Sequence, residues 1–283
     1  MMTAIRVTRS LLRGWPLPGP GTSKEDRGRI IVVGGSRRVP GAPLLSGEAA
    51  LRAGAGKLML MTGEPWALQT GLAMPEAGVA GVGVGEDGEL GSLEAGMVEL
   101  VRQAGAVLVG PGMATGASPA SLQIARAAPL MVADAGSLHE DELRPAAGRL
   151  VMTPHVPEMA DLMGMRPEEV SQRPAEIAVD AAAQFEAVVV LKGPTTWIAA
   201  PDGRLWVHEV DAPGLGTSGS GDVLAGILTG LLARGTDLVQ ASVWAVAVHG
   251  RAGRMAARHV GRLGFLARET LGYIPRILDT LSP

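Results

Sequence analysis

The chain has no cysteine, few aromatics (Trp 5, Tyr 1, Phe 2 in 283 residues) and no surplus of either charge. Without cysteine there is no disulfide, thiolate zinc site, iron–sulfur cluster or cysteine nucleophile, and the redox compartment stays open. So few aromatics cannot interleave into a base-stacking platform. Lys+Arg 25 against Asp+Glu 28 gives a formal net charge of -3. That removes the long-range attraction and counterion release on which nucleic acid or an anionic membrane surface depends. Long apolar runs are missing as well. The longest uncharged stretch, Ala104–Ala125, is broken by Gly110, Pro111, Gly112, Gly116 and Pro119, so it is no membrane span. Arg6, Arg9 and Arg13 precede no apolar segment, and no secretory signal is expected. The expectation is a soluble, cytoplasmic protein.

What is present points to one α/β domain. Hydrophobic residues make up 47% of the chain, enough for a sizeable core. The 40 glycines and 20 prolines punctuate apolar runs, so they read as turns and close backbone approaches. Strands are expected at Arg29–Val33, Lys57–Met61, Ala106–Val109, Leu130–Ala133, Leu150–Met152 and Ala187–Leu191. Helical stretches Leu44–Ala55, Ser92–Ala104, Ser118–Ala127 and Pro174–Phe185 lie between them. Ala106–Val109 and Ala187–Leu191 are apolar throughout, as strands covered on both faces of a parallel sheet are. Thr196–Ala200 and Arg204–His208 flank Pro201-Asp202-Gly203 and read as a hairpin. Helices follow at Val223–Ala233, Val239–Ala257 and Phe265–Leu281. Residues 1–28 read as a Pro/Gly-rich lead-in, and 29–283 as the domain.

The strongest motif is Gly214-Leu215-Gly216-Thr217-Ser218-Gly219-Ser220-Gly221-Asp222, running directly into an apolar helix. Small residues feeding a helix start let backbone amides converge on an anion, with the helix dipole adding potential. The plain alternative for Asp222 is a helix cap, but five small residues before it exceed what capping needs. Gly214, Gly216 and Gly219 also match a dinucleotide fingerprint, as do Gly83, Gly85 and Gly88; neither opens a βαβ unit, so both are weak. Four further short loops follow strands: Gly34-Gly35-Ser36, Gly110-Pro111-Gly112, Asp134-Ala135-Gly136, and Thr153-Pro154-His155 with Glu158. In an open parallel sheet these line one crevice. Lys192, after the most buried-looking strand, suits a phosphate as a point charge; a solvated turn lysine is the ordinary alternative. Among the histidines only His155 is placed in the site. His139, His208, His249 and His259 lack metal-ligand spacing and read as surface or core residues, so no protein-held metal is expected.

Taken in order, these motifs resemble the ADP/ATP-dependent NAD(P)H-hydrate dehydratases of the ribokinase-like superfamily. The matching pieces are Gly28–Ser36, Gly41-Ala42, Ala49–Gly56, Val109–Gly112, Asp134–Leu138, Thr153–His155, Leu191–Thr195 and Ser218–Gly226. They cover nearly the whole chain. Ser218-Gly219-Ser220-Gly221-Asp222 stands where the family usually has Gly-Gly-Thr-Gly-Asp, and Pro154-His155-Val156-Pro157-Glu158 where it usually has Pro-His-Pro-Gly-Glu.

The resemblance implies a three-layer αβα sandwich with a mostly parallel central sheet. It also implies an activity: a hydroxyl of the S-form of hydrated NADH or NADPH is phosphorylated by ADP or ATP, and phosphate then leaves to restore the ring. Asp222 would be the general base, with Ala42, Gly112, His155 and Asp222 on the hydrated-dinucleotide side. Lys192, Gly193, Pro194, Thr195, Thr196, Ser218, Gly219, Ser220 and Gly221 would bind the adenine nucleotide, with the adenine near Lys192–Thr196. Mg²⁺ would travel on the phosphates, and a homo-oligomer, a tetramer among the options, is implied. Epimerisation of the hydrate is expected in a separate domain. Two alternatives stay open: a conventional ribokinase-like kinase acting on a vitamin precursor or sugar hydroxyl, and a non-catalytic nucleotide-binding subunit.

Overall fold

Residues 3–282 are described by the computed structural model; Met1, Met2 and Pro283, included in the expected lead-in and domain, lie outside them. In chain order the elements begin β1 (Ile5–Arg6), α1 (Arg9–Arg13), β2 (Arg29–Val33), α2 (Ala42–Arg52), β3 (Lys57–Gly63), α3 (Glu64–Ala73) and β4 (Ala77–Val82). Next come α4 (Ala95–Arg102), β5 (Ala106–Val109), α5 (Pro119–Ala127), β6 (Met131–Ala133), α6 (Glu140–Leu143) and β7 (Leu150–Met152). Then follow α7 (Val156–Met163), α8 (Pro167–Gln172), α9 (Pro174–Gln184), β8 (Val188–Leu191), β9 (Thr195–Ala199) and β10 (Leu205–Glu209). The chain closes with α10 (Ser220–Ala233), α11 (Leu238–His259), α12 (Ala267–Leu271) and α13 (Ile274–Leu281).

One sheet runs in the order β1-β10-β9-β8-β7-β6-β5-β2-β3-β4. From β8 to β4 every pairing is parallel; β9 is antiparallel to both neighbours, forming the expected hairpin with β10. Alternate side chains go to opposite faces of a strand. Ile30 and Val32 accordingly join a core with α2, α10 and α11, while Ile31 and Val33 join one with α4, α5, α7 and α9. Both faces are covered, giving three layers.

Register aligns the strand ends. Val33 pairs with Val109, Val109 with Ala133, and Ala133 with Met152. The loops beginning at Gly34, Gly110, Asp134 and Thr153 therefore leave the sheet in one row. The chain builds β3 and β4 on one side of β2 and then returns to place β5 on the other. That reversal opens the crevice in which such sheets hold ligands.

Two helices meet closely beside this row. A Cβ on Gly226 would overlap the Ser46 carbonyl oxygen, and one on Gly230 would lie 2.5 Å from that of Ala50. The two glycines let α10 lie against the backbone of α2. Gly226→Ala is expected to cost about 1–3 kcal/mol, the usual penalty for overfilling a packed interior. A thermal melt checks this, and an unchanged Tm would mean the helices part freely.

Some expectations need revising. The final helix is two, α12 and α13, separated at Gly272 and Tyr273. Elements β1, α1, α3, β4, α6, α7 and α8 lie outside the expected ones. Parts of the lead-in contact the domain. Ile5 and Arg6 pair with β10, Trp15 stacks on Trp206 at 6.3 Å between ring centroids, and Gln240 Nε2 and Trp244 Nε1 donate to the Trp15 carbonyl.

Candidate active site

The row of strand ends places carboxylates around one lysine. Asp134 follows β6, and its side chain is only 3% exposed. Thr153 Oγ1, at the end of β7, donates to Asp134 Oδ1 at 2.7 Å, and Lys192 Nζ, just past β8, donates to the same oxygen at 2.7 Å. Glu158 Oε2 is 3.8 Å from the same ammonium. Burial alone would push the Lys192 pKa down. Asp134 and Glu158, with Asp222 beyond them, outweigh it and raise the value above that of a free lysine. Lys192 is therefore no solvated turn residue: Gly193 and Pro194 beside it are exposed, while its side chain turns inward.

Asp222 faces this pair from the first turn of α10. Gly219, in the left-handed region at φ +85°, is the residue that caps the helix, so Asp222 is not the cap. Gly221 lies against the pair: a Cβ there would lie 3.1 Å from Lys192 Nζ and 3.7 Å from Asp134 Oδ2, so the ammonium would have to shift by a few tenths of an ångström. Burial raises the Asp222 pKa first, repulsion from Asp134 adds, and Lys192 only partly offsets them; the result is about 7. A carboxyl poised near neutrality in a crevice suits a general base. At the helix start, Ser220 N–H already donates to Thr217 O and Val223 N–H to Gly219 O, which leaves the amides of Gly221 and Asp222 for a ligand.

Ala42 begins α2 and is buried against Gly112, whose φ is +71°. His155 is not in a plain loop: it caps α7, its Nδ1 accepting the Glu158 amide at 3.1 Å while its own amide donates to Glu158 Oε2 at 2.7 Å. A neutral imidazole whose Nδ1 accepts carries its proton on Nε2, leaving a donor on the half-exposed ring. Thr195 and Thr196 open β9, partly exposed, with Thr196 Oγ1 donating to Gly193 O. Ser218 is exposed and Ser220 is buried. A cavity of about 380 Å³ opens between the β5 and β7 loops, lined by Thr115, Gly116, Ala135, His139, Glu158 and Asp161.

The model of the NAD(P)H-hydrate dehydratase family matches residues 30–276. The chain belongs to this family. It is 48% identical to an ADP-dependent (S)-NAD(P)H-hydrate dehydratase of Xanthomonas campestris over 97% of this chain and 96% of that one. A bifunctional NAD(P)H-hydrate repair enzyme of Thermofilum pendens is 36% identical, and there the match spans 94% of this chain but 53% of the relative. A crystal structure of the Bacillus subtilis ADP/ATP-dependent NAD(P)H-hydrate dehydratase, co-crystallised with ATP/Mg²⁺, superposes with a TM-score of 0.83 at 28% identity, covering 99% of this chain and 100% of that one. Ribokinase of Arabidopsis thaliana, at 14% identity and a TM-score of 0.58 over 87% of this chain and 98% of that one, shares the fold. The dehydratase family thus has here a ribokinase-like three-layer architecture.

Sequence reasoning assigned no role to Asp134 or Glu158 beyond lining the crevice, and set His249 aside. Ser220 Oγ lies 3.1 Å from His249 Nε2, so His249 sits directly behind the small-residue loop that leads into α10. Its partner is a hydroxyl 29 residues away in sequence.

Proposed function

We propose that this chain dehydrates the S-form of hydrated NADH or NADPH at the expense of ADP or ATP, as a cytoplasmic metabolite-repair enzyme that returns NAD(P)H and releases AMP or ADP with phosphate. The observation that carries the reading is Asp222, a carboxyl held near neutrality at a helix start beside the Lys192–Asp134 pair. Asp222 removes the proton from the ring hydroxyl, whose oxygen attacks the terminal phosphoryl group. The amides of Gly221 and Asp222, with the α10 dipole behind them, hold charge on the transferring oxygens. Lys192 supplies a fixed positive charge at the same place, while Gly193–Thr196 flank the adenine and Ser218–Gly221 the phosphates. Phosphate then departs and the ring double bond re-forms. Ala42, Gly112 and His155 form the wall for the hydrated dinucleotide.

Asp134 and Glu158 offer hard carboxylate oxygens beside the phosphate path, the ligand type Mg²⁺ takes, with Lys192 already balancing one of them. They suit an ion held chiefly by nucleotide phosphates and water. Bound there, Mg²⁺ would neutralise charge on the phosphoryl oxygens. A homo-oligomer is part of the same proposal; Leu68 and Leu72 on α3, 73% and 75% exposed, are the most exposed large apolar side chains among the described residues. Among the described residues no helix is long and apolar enough to cross a membrane.

The test is incubation with hydrated NADH and either ADP or ATP in parallel, following the return of NADH absorbance and the release of phosphate. A conventional kinase would accumulate a phosphorylated product without restoring NADH. That outcome, or no turnover with either nucleotide, ends the dehydratase reading.

A further inference from the structure

Behind the proposed nucleotide loop lie apolar contacts and a polar one. Gly214 lies against the Phe265 ring, and Leu215 lies so close to Gly253 of α11 that a Cβ there would overlap it. These apolar contacts fix where the loop sits. They do not govern what its hydroxyls donate. The polar contact is His249 Nε2 with Ser220 Oγ, at 3.1 Å, on a serine 7% exposed at the first position of α10.

Ser220 on α10 bonds the His249 ring through its hydroxyl and its backbone, and the charges of Lys192, just past β8, and of His208 on β10 act on it; His208 Nε2 is buried without a partner against Gly250. Burial first, and the Lys192 charge second, lower the His249 pKa to about 4. The ring is neutral at pH 7 and carries one N–H. The tautomer then decides what Ser220 can do. If Nε2 accepts, the serine proton points backward and the hydroxyl has nothing to donate to a ligand. If Nε2–H donates, the serine keeps its proton for an acceptor at the helix start, where amides and dipole already favour an anion.

We propose that His249 is a positioning residue for phosphoryl transfer: it donates its Nε2–H to Ser220 Oγ, which directs the Ser220 hydroxyl proton at the transferring phosphoryl group. The assignment rests on the dehydratase reading above.

A double-mutant cycle tests it, with ADP and hydrated NADH as substrates. Ser220→Ala and His249→Phe are each expected to lower kcat about 10- to 100-fold, at or below the loss seen when one donor to transition-state charge is removed. The KM for ADP should move less than about threefold, because the effect lies in the transition state. The double variant should be no slower than either single one, since His249 acts only through the hydroxyl. His249→Gln, which retains an N–H near Nε2, should recover most of the loss. Effects that multiply, or a His249→Phe enzyme with wild-type kcat and only a lower Tm, overturn the proposal. If His249→Phe does not fold, His249→Asn, which is polar but too short to reach Ser220, replaces it under the same criteria. Absence of wild-type turnover sinks the dehydratase reading and this proposal together; a failed cycle in an active enzyme sinks the proposal alone.

Discussion

Asp222→Asn is expected to lower kcat about 10²–10⁴-fold, the contribution of a positioned base, while ADP affinity changes little. The asparagine keeps the shape but cannot accept the ring hydroxyl proton. Wild-type activity should rise with pH through about 7, because the carboxyl holds its proton to that point: burial first, then Asp134, against the attraction of Lys192. The variant should lack that limb. Stability should move the other way. A carboxyl whose folded pKa lies above its ordinary 3.8 stabilises the fold fully below pH 3.8 and loses that contribution as pH rises through about 7. Asp222→Asn should therefore gain Tm relative to wild type at pH 8 and not at pH 4. A kcat within about threefold of wild type would remove Asp222 from the mechanism.

Lys192→Met is expected to damage both fold and chemistry. It leaves Asp134, 3% exposed, with only the Thr153 hydroxyl. Breaking a buried pair from one side costs about 3–5 kcal/mol, and the residual exposure of Lys192 (19%) puts this case at the lower end. Removing the ammonium also removes what holds the Asp222 pKa down, so the rising limb of the rate profile should move above pH 7. Thermal melts and rate profiles across pH check both parts. A variant with unchanged Tm and an unshifted limb would show that the pair is ornamental.

The architecture was legible wherever burial wrote itself into composition. Arg29–Val33, Ala106–Val109 and Leu150–Met152 are strands with the expected bounds because strands covered on both faces are apolar along nearly their whole length, Arg29 standing only at the entry of its strand. The edge was harder. In β4, Ala-Gly-Val-Ala-Gly-Val carries two glycines, which weaken a strand signal, and α3 buries only Thr70, so it has no apolar stripe. Helix α7 escaped because its cap is a histidine, outside the usual Ser/Thr/Asp/Asn set. The loop at Ser218–Gly221 and Asp222 stood out through their excess of small residues. The Lys192–Asp134 pair did not, since its partners are 58 positions apart and meet only through the register of parallel strands.

The close contact of α10 with α2 has a kinetic meaning. Asp222 sits on the first turn of α10 and Ala42 on the first turn of α2, one helical turn from the Ser46 backbone against which Gly226 lies. Under the proposed function, the base and the dinucleotide wall thus stand on two helices packed backbone against backbone. Reactants bound on that frame would meet at an effective concentration set largely by the frame itself.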